Sequence, residues 1–504
     1  MTEAGQRAKL TGRNPSEVTI RSPQLQFVVT RWNWSTGKKR DKTPIDITNL
    51  AVSMIWQKTI KNPSGGCSLT CIPQRDSIHL LDDLNPLDVV NIYEFGVLKF
   101  QGYIWDIRAT GGIDPSGGRP IRFAMLSIRG FGGIFTETAL GVNMWIISQQ
   151  STTFSTEAKK FSNHIADIIK SPGGLTYAGL VQSIVQEWIS MVNNIVAGTP
   201  GATSFYTNYI STYLNYTDGL VGAKTPGFPR ELAGFYGVEQ QITLWDILQK
   251  IAEVPFVEIF FDNGPRQVFI EQSNDAIQYP APLTTLQANK EQEQTYLIVR
   301  QTPFDGTVLN GVSLDFFKAL PAIKIPLGHF VDFSFRKTME ESASFYFAIP
   351  PIFNPGTFAP LAEGDYILDA ANFSKYLYRP LTSNLYYTRF EDLTAIQQDS
   401  AAPDISKALQ DACQTLSNWN TRNDQYLSGV LSYEVPSVNA NDPKIGEKVV
   451  VEGVDDAYFY CEGVAHSWSY GKELRADASV TRGFGMASAI QLKSKIFKRG
   501  RMVI

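Results

Sequence analysis

Four histidines and four cysteines, with a few adjacent carboxylates, are the residues from which this 504-residue chain would have to build chemistry. General acid–base catalysis needs a histidine or carboxylate held within reach of the reacting proton. Of His79, His164, His329 and His466, His164 lies beside Ile165 in a predicted helix. His466 falls in the strand-like run Tyr458, Tyr460, Val464, His466, Trp468, Tyr470, expected on one face. Both positions favour a packed or interface role over a general base. Cys67 and Cys71 would share a strand face, but a zinc site needs more ligands, and only the distant Cys413 and Cys461 remain. No metal, disulfide framework or other cofactor is expected. The pairs Asp82-Asp83, Glu340-Glu341 and Asp455-Asp456 read as solvated loops, although glycosidase carboxylates come from separated segments and leave no local signature. Gly-x-Ser-x-Gly, a Walker loop and a Rossmann glycine run after a strand are absent. No catalytic residue is assigned, and the chain is expected not to be an enzyme.

The elements that would position these groups are mostly strands. Hydrophobic residues make up 43% and aromatics 12%, enough to bury a core several domains large. Only 19% of residues are charged, which suits a surface partly covered in an assembly. A net charge of −4 gives no overall basic field for gripping nucleic acid. No apolar run is long enough to span a membrane, and polar Met1 to Pro15 predicts no secretory signal.

Period-two alternation predicts strands from Leu25 to about Gly133, with Tyr103, Trp105 and Ile107 on one face and Ile104, Asp106 and Arg108 on the other. Helices are expected over Ala158–Ile169 and Leu180–Met191. Thr243 three residues before Asp246 is a capping-box-like start to a helix with the stripe Leu244, Ile247, Leu248, Ile251. A strand, Phe256 to Phe261, is expected to turn at Asp262-Asn263-Gly264 and return over Gln267–Glu271. A helix through Ile405, Ala412, Leu416 and Trp419 follows Pro403, strands resume from Leu427 to Thr481, and a basic tail carries Lys493, Lys495, Lys498, Arg499 and Arg501. That tail is a candidate partner-binding segment.

The two β-rich ends echo each other. Asp88-x-Val90-x-Ile92, Gly102, Ile121-Arg122 and Arg129-Gly130-Phe131-Gly132 parallel Glu447-x-Val449-x-Val451, Gly463, Leu474-Arg475 and Arg482-Gly483-Phe484-Gly485. The extra length in the first copy is expected in the loop 111–120, where insertion costs little. A duplicated β-unit is the favoured explanation.

Four segments, in order, resemble the baseplate hub proteins of contractile phage tails and related injection systems, akin to the base of the type VI secretion spike. They are Asp88–Tyr93 through Phe100–Ile104, Thr243–Gln249 with Pro255–Phe260, Ile298–Asp305 with its Arg-x-x-Pro-Phe-Asp core, and Tyr460–Tyr470. The motif positions are Gly102, Trp245, Asp246, Pro303, Phe304, Gly463, His466 and Trp468. The resemblance implies a β-dominated α+β fold: two tube-like β-barrel domains with helical and loop-rich insertions. The expected divisions are an arm (1–24), barrel 1 (25–135), an insertion (136–241), a helix-hairpin domain (242–300), barrel 2 (301–347 and 428–485), an insertion with a helix (348–427) and the basic tail (486–504). It further implies a homotrimeric, pseudo-sixfold ring joining a hexameric tail tube to a trimeric spike. Its other expected partners are wedge or adaptor proteins, with DNA or effector cargo passing through the lumen without tight binding. The place implied is a virion baseplate or injection particle, made in the bacterial cytoplasm. A tube-initiating adaptor and a glycan-active or glycan-binding tail protein are the alternatives.

Overall fold

The computed structural model describes residues 25–33, 38–40, 44–75, 78–113, 120–137, 214–216, 243–251, 257–263, 270–273, 276–278, 295–301, 305–309, 312–315, 322–336, 342–349, 366–384, 413–421, 427–435, 442–452 and 458–482, with single positions near 184–190, 410 and 494. The arm, the helix expected over 158–169, Pro303, Phe304 and the five basic tail residues lie outside them.

The fold is β-dominated. One 13-stranded sheet joins strands from 25–130 with strands from 322–336 and 428–481. Its order is Phe330–Arg336, Ser428–Glu434, Arg475–Thr481, Tyr458–Ser469, Ala51–Thr59, Gly66–Cys71, Pro120–Gly130, Val97–Ile113, Val89–Glu94, Leu25–Thr30 and Ile45–Asp46. Lys448–Val451 pairs with the Tyr458 strand and Ala322–Ile325 with the Lys448 strand. Several strands bury alternate side chains, as a sheet with one face on a core does, whereas Leu98–Ile104 are buried on both faces. Cys67, Leu69 and Cys71 face inward from one strand, with Gly66, Ser68 and Thr70 between them less buried. Leu431, Tyr433, Ala476, Ala478 and Val480 do the same from the far end.

Six elements occur twice in the same order with the same pairing. The first set is a 3-10 turn (Thr48–Leu50) and the Ala51, Gly66, Val89, Val97 and Pro120 strands; the second is a 3-10 turn (Leu327–His329) and the Phe330, Ser428, Lys448, Tyr458 and Arg475 strands. The irregularities repeat too. A bulge between Ala51 and Ser53 matches one between Phe330 and Asp332, and one between Ile104 and Asp106 matches one between Cys461 and Gly463. Leu87 and Gly446 both take positive φ, 71° and 73°. The backbone bonds Leu87 N to Ile104 O and Ile104 N to Asp88 O (2.7 and 2.9 Å) recur as Gly446 N to Cys461 O and Cys461 N to Glu447 O (2.7 and 3.0 Å). The carboxylate capping is also shared: Asn85 N donates to Asp88 at 2.8 Å and Lys444 N to Glu447 at 3.0 Å.

This register corrects the sequence echo. Asp88 matches Glu447 as expected, but Ile104 matches Cys461, so Gly463 corresponds to Asp106 and Gly102 to Phe459; Arg129 matches Thr481 rather than Arg482. Glycines align readily by eye while bulges are invisible in composition. The bulges also overturn the predicted faces. Beyond its bulge the Tyr458 strand turns Val464, His466 and Trp468 to the core; before it, Phe459 and Cys461 face the core and Tyr460 points away, to Glu258. Ile104 and Ile107, expected on opposite faces, both pack on the main core, while Trp105 is exposed.

A second unit packs on the first set. Thr243 and Asp246 form the expected reciprocal cap (Thr243 N to Asp246 Oδ2 2.8 Å, Asp246 N to Thr243 Oγ1 3.1 Å) at the start of helix Leu244–Ile251. Trp245 lies 5.6 Å from Phe261, which meets Phe135 edge-on at 5.3 Å. Among the described residues the expected hairpin does not appear: Val257–Asn263 pairs with Thr295–Gln301, and Ile270–Ser273 pairs with Ala276–Gln278. Neighbouring apolar runs suggested local pairing, but the partner strand begins at Thr295, 32 residues beyond Asn263.

A methyl group at Gly102 would come within 2.2 Å of the Arg129 carbonyl oxygen, backbone that cannot step aside, whereas Gly66 has open space. Gly102→Ala is expected to cost about 2–4 kcal/mol of stability and Gly66→Ala under about 1 kcal/mol, read from denaturant midpoints.

Candidate functional site: buried charges where the two strand sets join

The two sets meet along one antiparallel ladder, Gly463–Ser469 against Ser53–Thr59. Charged groups from both sets converge under it. Glu94 ends the Val89 strand, Lys99 enters the Val97 strand, Asp442 precedes the Lys448 strand, and His466 sits opposite Trp56 in the ladder. Glu94 and His466 are fully buried, and Asp442 and Lys99 nearly so. Glu94 accepts from Trp56 Nε1 at 2.7 Å and pairs with His466 Nδ1 at 2.7 Å. His466 Nε2 faces Asp442 at 3.5 Å. Lys99 Nζ donates to the other Asp442 oxygen, and Tyr433 donates its hydroxyl to Asp442 at 3.2 Å.

Burial opposes every charge here, and the neighbours override it. Glu94 and Asp442 together hold the His466 imidazolium, raising its pKa to about 9 despite desolvation. Lys99 and His466 keep Asp442 well below the ordinary carboxylate range. The Lys99 ammonium is raised in turn by Asp442 and Glu94. Two carboxylates therefore face two cations, and the cluster is neutral as a whole. Removing one member would leave a charge uncompensated in the core, a cost of about 3–5 kcal/mol.

Glu94, Asp442 and His466 place three ligand-type atoms within 4.8 Å of one another. Lys99 already occupies one Asp442 oxygen and Trp56 one Glu94 oxygen. The donor set thus fits an internal salt-bridge network rather than a metal. The cavity bordered by Trp56, Lys58, Lys99, Asp262 and Asp442 has about 20 Å³ of water-accessible space, room for an ordered water.

The network extends into the second unit. Lys58 donates to Asp262 at 3.0 Å, Thr295 to Gln101 at 3.0 Å, and Asn263 to Thr295 at 2.7 Å. Tyr460 bonds Glu258. Strands from three parts of the chain are thereby tied at one place.

The structure scatters the motif residues by role. His466 is in the network; Trp468 packs at its end, 6.1 Å from Phe27. Gly463 sits at the bulge, where a Cβ would meet Thr59 and the Lys58 carbonyl. Gly102 adjoins the neighbouring Val90 and Gly130 backbones, and Trp245 and Asp246 belong to the capped helix. Glu94, Lys99 and Asp442 were not singled out from sequence. The available signal was a carboxylate, Glu94, closing the apolar run Val89–Tyr93 and a lysine, Lys99, interrupting Val97–Phe100.

No protein-family model and no curated protein sequence matches the chain. Among solved structures it is similar to a tail protein of Neisseria meningitidis MC58 (11% identity, TM-score 0.45, covering 91% of this chain and 96% of that one). It is also similar to the 43 kDa tail protein of prophage MuSo2 from Shewanella oneidensis (11%, 0.41, 92% and 99%). A third is a chain of a Francisella PdpA–VgrG complex (8%, 0.40), of which this chain covers 54% while 94% of its own length is matched. At such identities and scores, function rests on the chain's own geometry.

His466 has a folded pKa of about 9 against an ordinary 6.5. Its contribution to stability is full below pH 6.5 and is lost as pH rises through about 9, so thermal melting should fall by several degrees across that window. In His466→Gln that slope should flatten while the protein is less stable at pH 6. Burial raises the Cys71 thiol to about 12 and Cys67 further, so neither should react with a thiol reagent at pH 8 until the protein unfolds.

Proposed function

We propose that this chain is a structural baseplate hub. Three copies would form a ring with pseudo-sixfold symmetry, matching a hexameric tail tube on one side and a trimeric spike on the other. An axial channel would pass genome or effector cargo. The observation that carries this reading is the twofold occurrence of six elements, down to their bulges, within one continuous sheet. A chain presenting two near-equivalent modules turns three subunits into six similar faces, which is what a threefold-to-sixfold adaptor requires.

Each strand set, closed by its neighbours, would be one tube-like barrel. The second unit, locked on by Lys58, Gln101 and Tyr460, would fix the angle between barrel and periphery. The segments 136–241 and 348–427 are assigned to wedge or adaptor contacts, and the basic tail with Lys493, Lys495, Lys498, Arg499 and Arg501 to a protein partner. DNA or cargo would pass the lumen without tight binding. The role would be mechanical rather than catalytic, a reading supported by the burial of Glu94, Lys99, Asp442 and His466, all of them engaged with one another. No helix among the described residues is long and apolar enough to cross a membrane. Its place would be a virion tail baseplate or an injection particle, the chain being synthesised in the bacterial cytoplasm.

Native mass spectrometry of the full chain tests this directly. Three copies per ring are expected, and in a purified particle three hub chains for every six tube subunits of one disc. A monomer, or six hub copies per disc, would refute it.

A further inference from the structure

A small three-stranded sheet outside the main one turns an aromatic face to solvent. Phe345–Ile349 runs between Tyr366–Leu368 and Pro380–Asn384, and the helix Ala370–Tyr376 joins the outer two. Tyr346 points inward, fully buried, with its hydroxyl on the Ala343 carbonyl at 2.9 Å. On the other face Phe345 is the centre of a ring cluster, with Tyr378 at 4.9 Å, Phe373 at 5.8 Å, Phe347 at 6.0 Å and Tyr366 at 6.2 Å. The sheet positions beside the two phenylalanines, Tyr366, Leu368, Pro380 and Thr382, carry no charge. Of the twelve large apolar side chains that the described residues expose, five lie between 366 and 378. So dense an apolar patch marks a contact surface.

The most exposed of the five is held in place against its backbone preference. Leu377 is 72% exposed, with φ 61° and ψ −152°, a combination essentially confined to glycine. Three bonds lock it. Its N–H donates to the Phe373 carbonyl at 2.9 Å, its carbonyl accepts from the buried Ser344 hydroxyl at 2.7 Å, and Ser344 Oγ accepts in turn from Arg379 N at 2.9 Å. Glycine would relieve the strain and leave no apolar side chain in water. A leucine fixed there is favourable only where something apolar covers it.

We infer that the C-terminal segment 483–504 of the same chain lies across this face with its apolar side inward. The continuous described chain ends at Arg482, which is tied to the aromatic unit through one helix. The Arg482 guanidinium lies 3.2 Å over the Trp419 ring and donates to the Trp419 carbonyl at 2.7 Å. The helix carrying Trp419 (413–420) leads into Thr421, which bonds Asp369 and accepts from Asn372 Nδ2 at 3.4 Å, at the start of the helix Ala370–Tyr376. Even wound as a helix, 483–504 reaches about 30 Å. Its composition suits the face. It has no acidic residue, and Ala489, Leu492 and Ile496 recur at i, i+3 and i+7 with Phe497 beside them. Its one described position, Ser494, is helical. On such a helix Lys495 and Lys498 point to the opposite side, available to the protein partner assigned to this tail above. Lys493 falls on the apolar side, where its ammonium can sit over a tyrosine ring. The inference goes beyond the hub reading and does not depend on the ring: it says what holds the partner-binding tail in place.

Photocrosslinking in the full chain tests this. With Phe497 replaced by p-benzoylphenylalanine, irradiation should join the tail to peptides containing 345–347 or 366–378, at the mass of a single chain. Crosslinks elsewhere in the chain, or none, would overturn the docking; the same crosslinks at doubled mass would put the tail on a neighbouring copy and overturn it within the chain. A second measurement needs no photoprobe. Ile496→Asp/Phe497→Asp should at least double the fluorescence of bound N-phenylnaphthylamine, a neutral apolar dye, and adding Leu377→Gly/Tyr378→Ser should remove the gain. Lys495→Gln/Lys498→Gln should change nothing. An unmodified chain that already binds the dye as strongly as the tail variant would refute the inference, leaving the face to another protein.

Discussion

The strand Tyr458–Ser469 has to find backbone partners along both edges, and that requirement organises the molecule. One edge bonds Arg475–Thr481; the other is divided, with residues up to Tyr460 on the Lys448 strand and those from Gly463 on the Ala51 strand. A buried backbone group left unpaired costs as much as a lost hydrogen bond. The strand therefore cannot leave the Ala51 strand without exposing its amides or finding another edge. The bulge at Cys461/Gly463 sits at the changeover. It rotates the strand so that residues after it face the shared core, which is how the joint comes to contain His466 at all.

The charge network adds specificity to this joint more than net stability. An apolar cluster of equal volume would pack at least as well, because desolvating four charges offsets much of their mutual attraction. Yet the network accepts only one register. Slipping the ladder by a residue would turn His466 to the opposite face, leaving Glu94 and Asp442 without their shared cation. The same strand of the first set has Ala109 and Gly111 at the positions of His466 and Trp468, both exposed, so the two equivalent edges carry different chemistry.

Local features were the legible part of the sequence. Alternation located Gly66–Cys71 with both cysteines on one face, and the Thr243/Asp246 cap located its helix, because each depends on residues within a few positions. The order of elements in the two β-rich ends was legible as well, from Asp88 and Glu447 onward. Their registration was not, since a bulge is a backbone event and Gly102 and Gly463 offered a false landmark. The partner of Val257–Asn263 and the assembly of Glu94, Lys99, Asp442 and His466 were hidden for a common reason. They depend on contacts between residues up to 372 apart, and only the sheet order brings them together. A single histidine in an aromatic strand gives no sign that it is charged.

End-on electron micrographs of the assembled particle measure the central claim most directly, through the rotational power spectrum of the hub layer. A ring of three two-module chains predicts strong sixfold power with a weaker threefold component from the unequal insertions. Threefold power with no sixfold component would mean that the two strand sets do not occupy equivalent places around the axis, and the adaptor reading would be wrong.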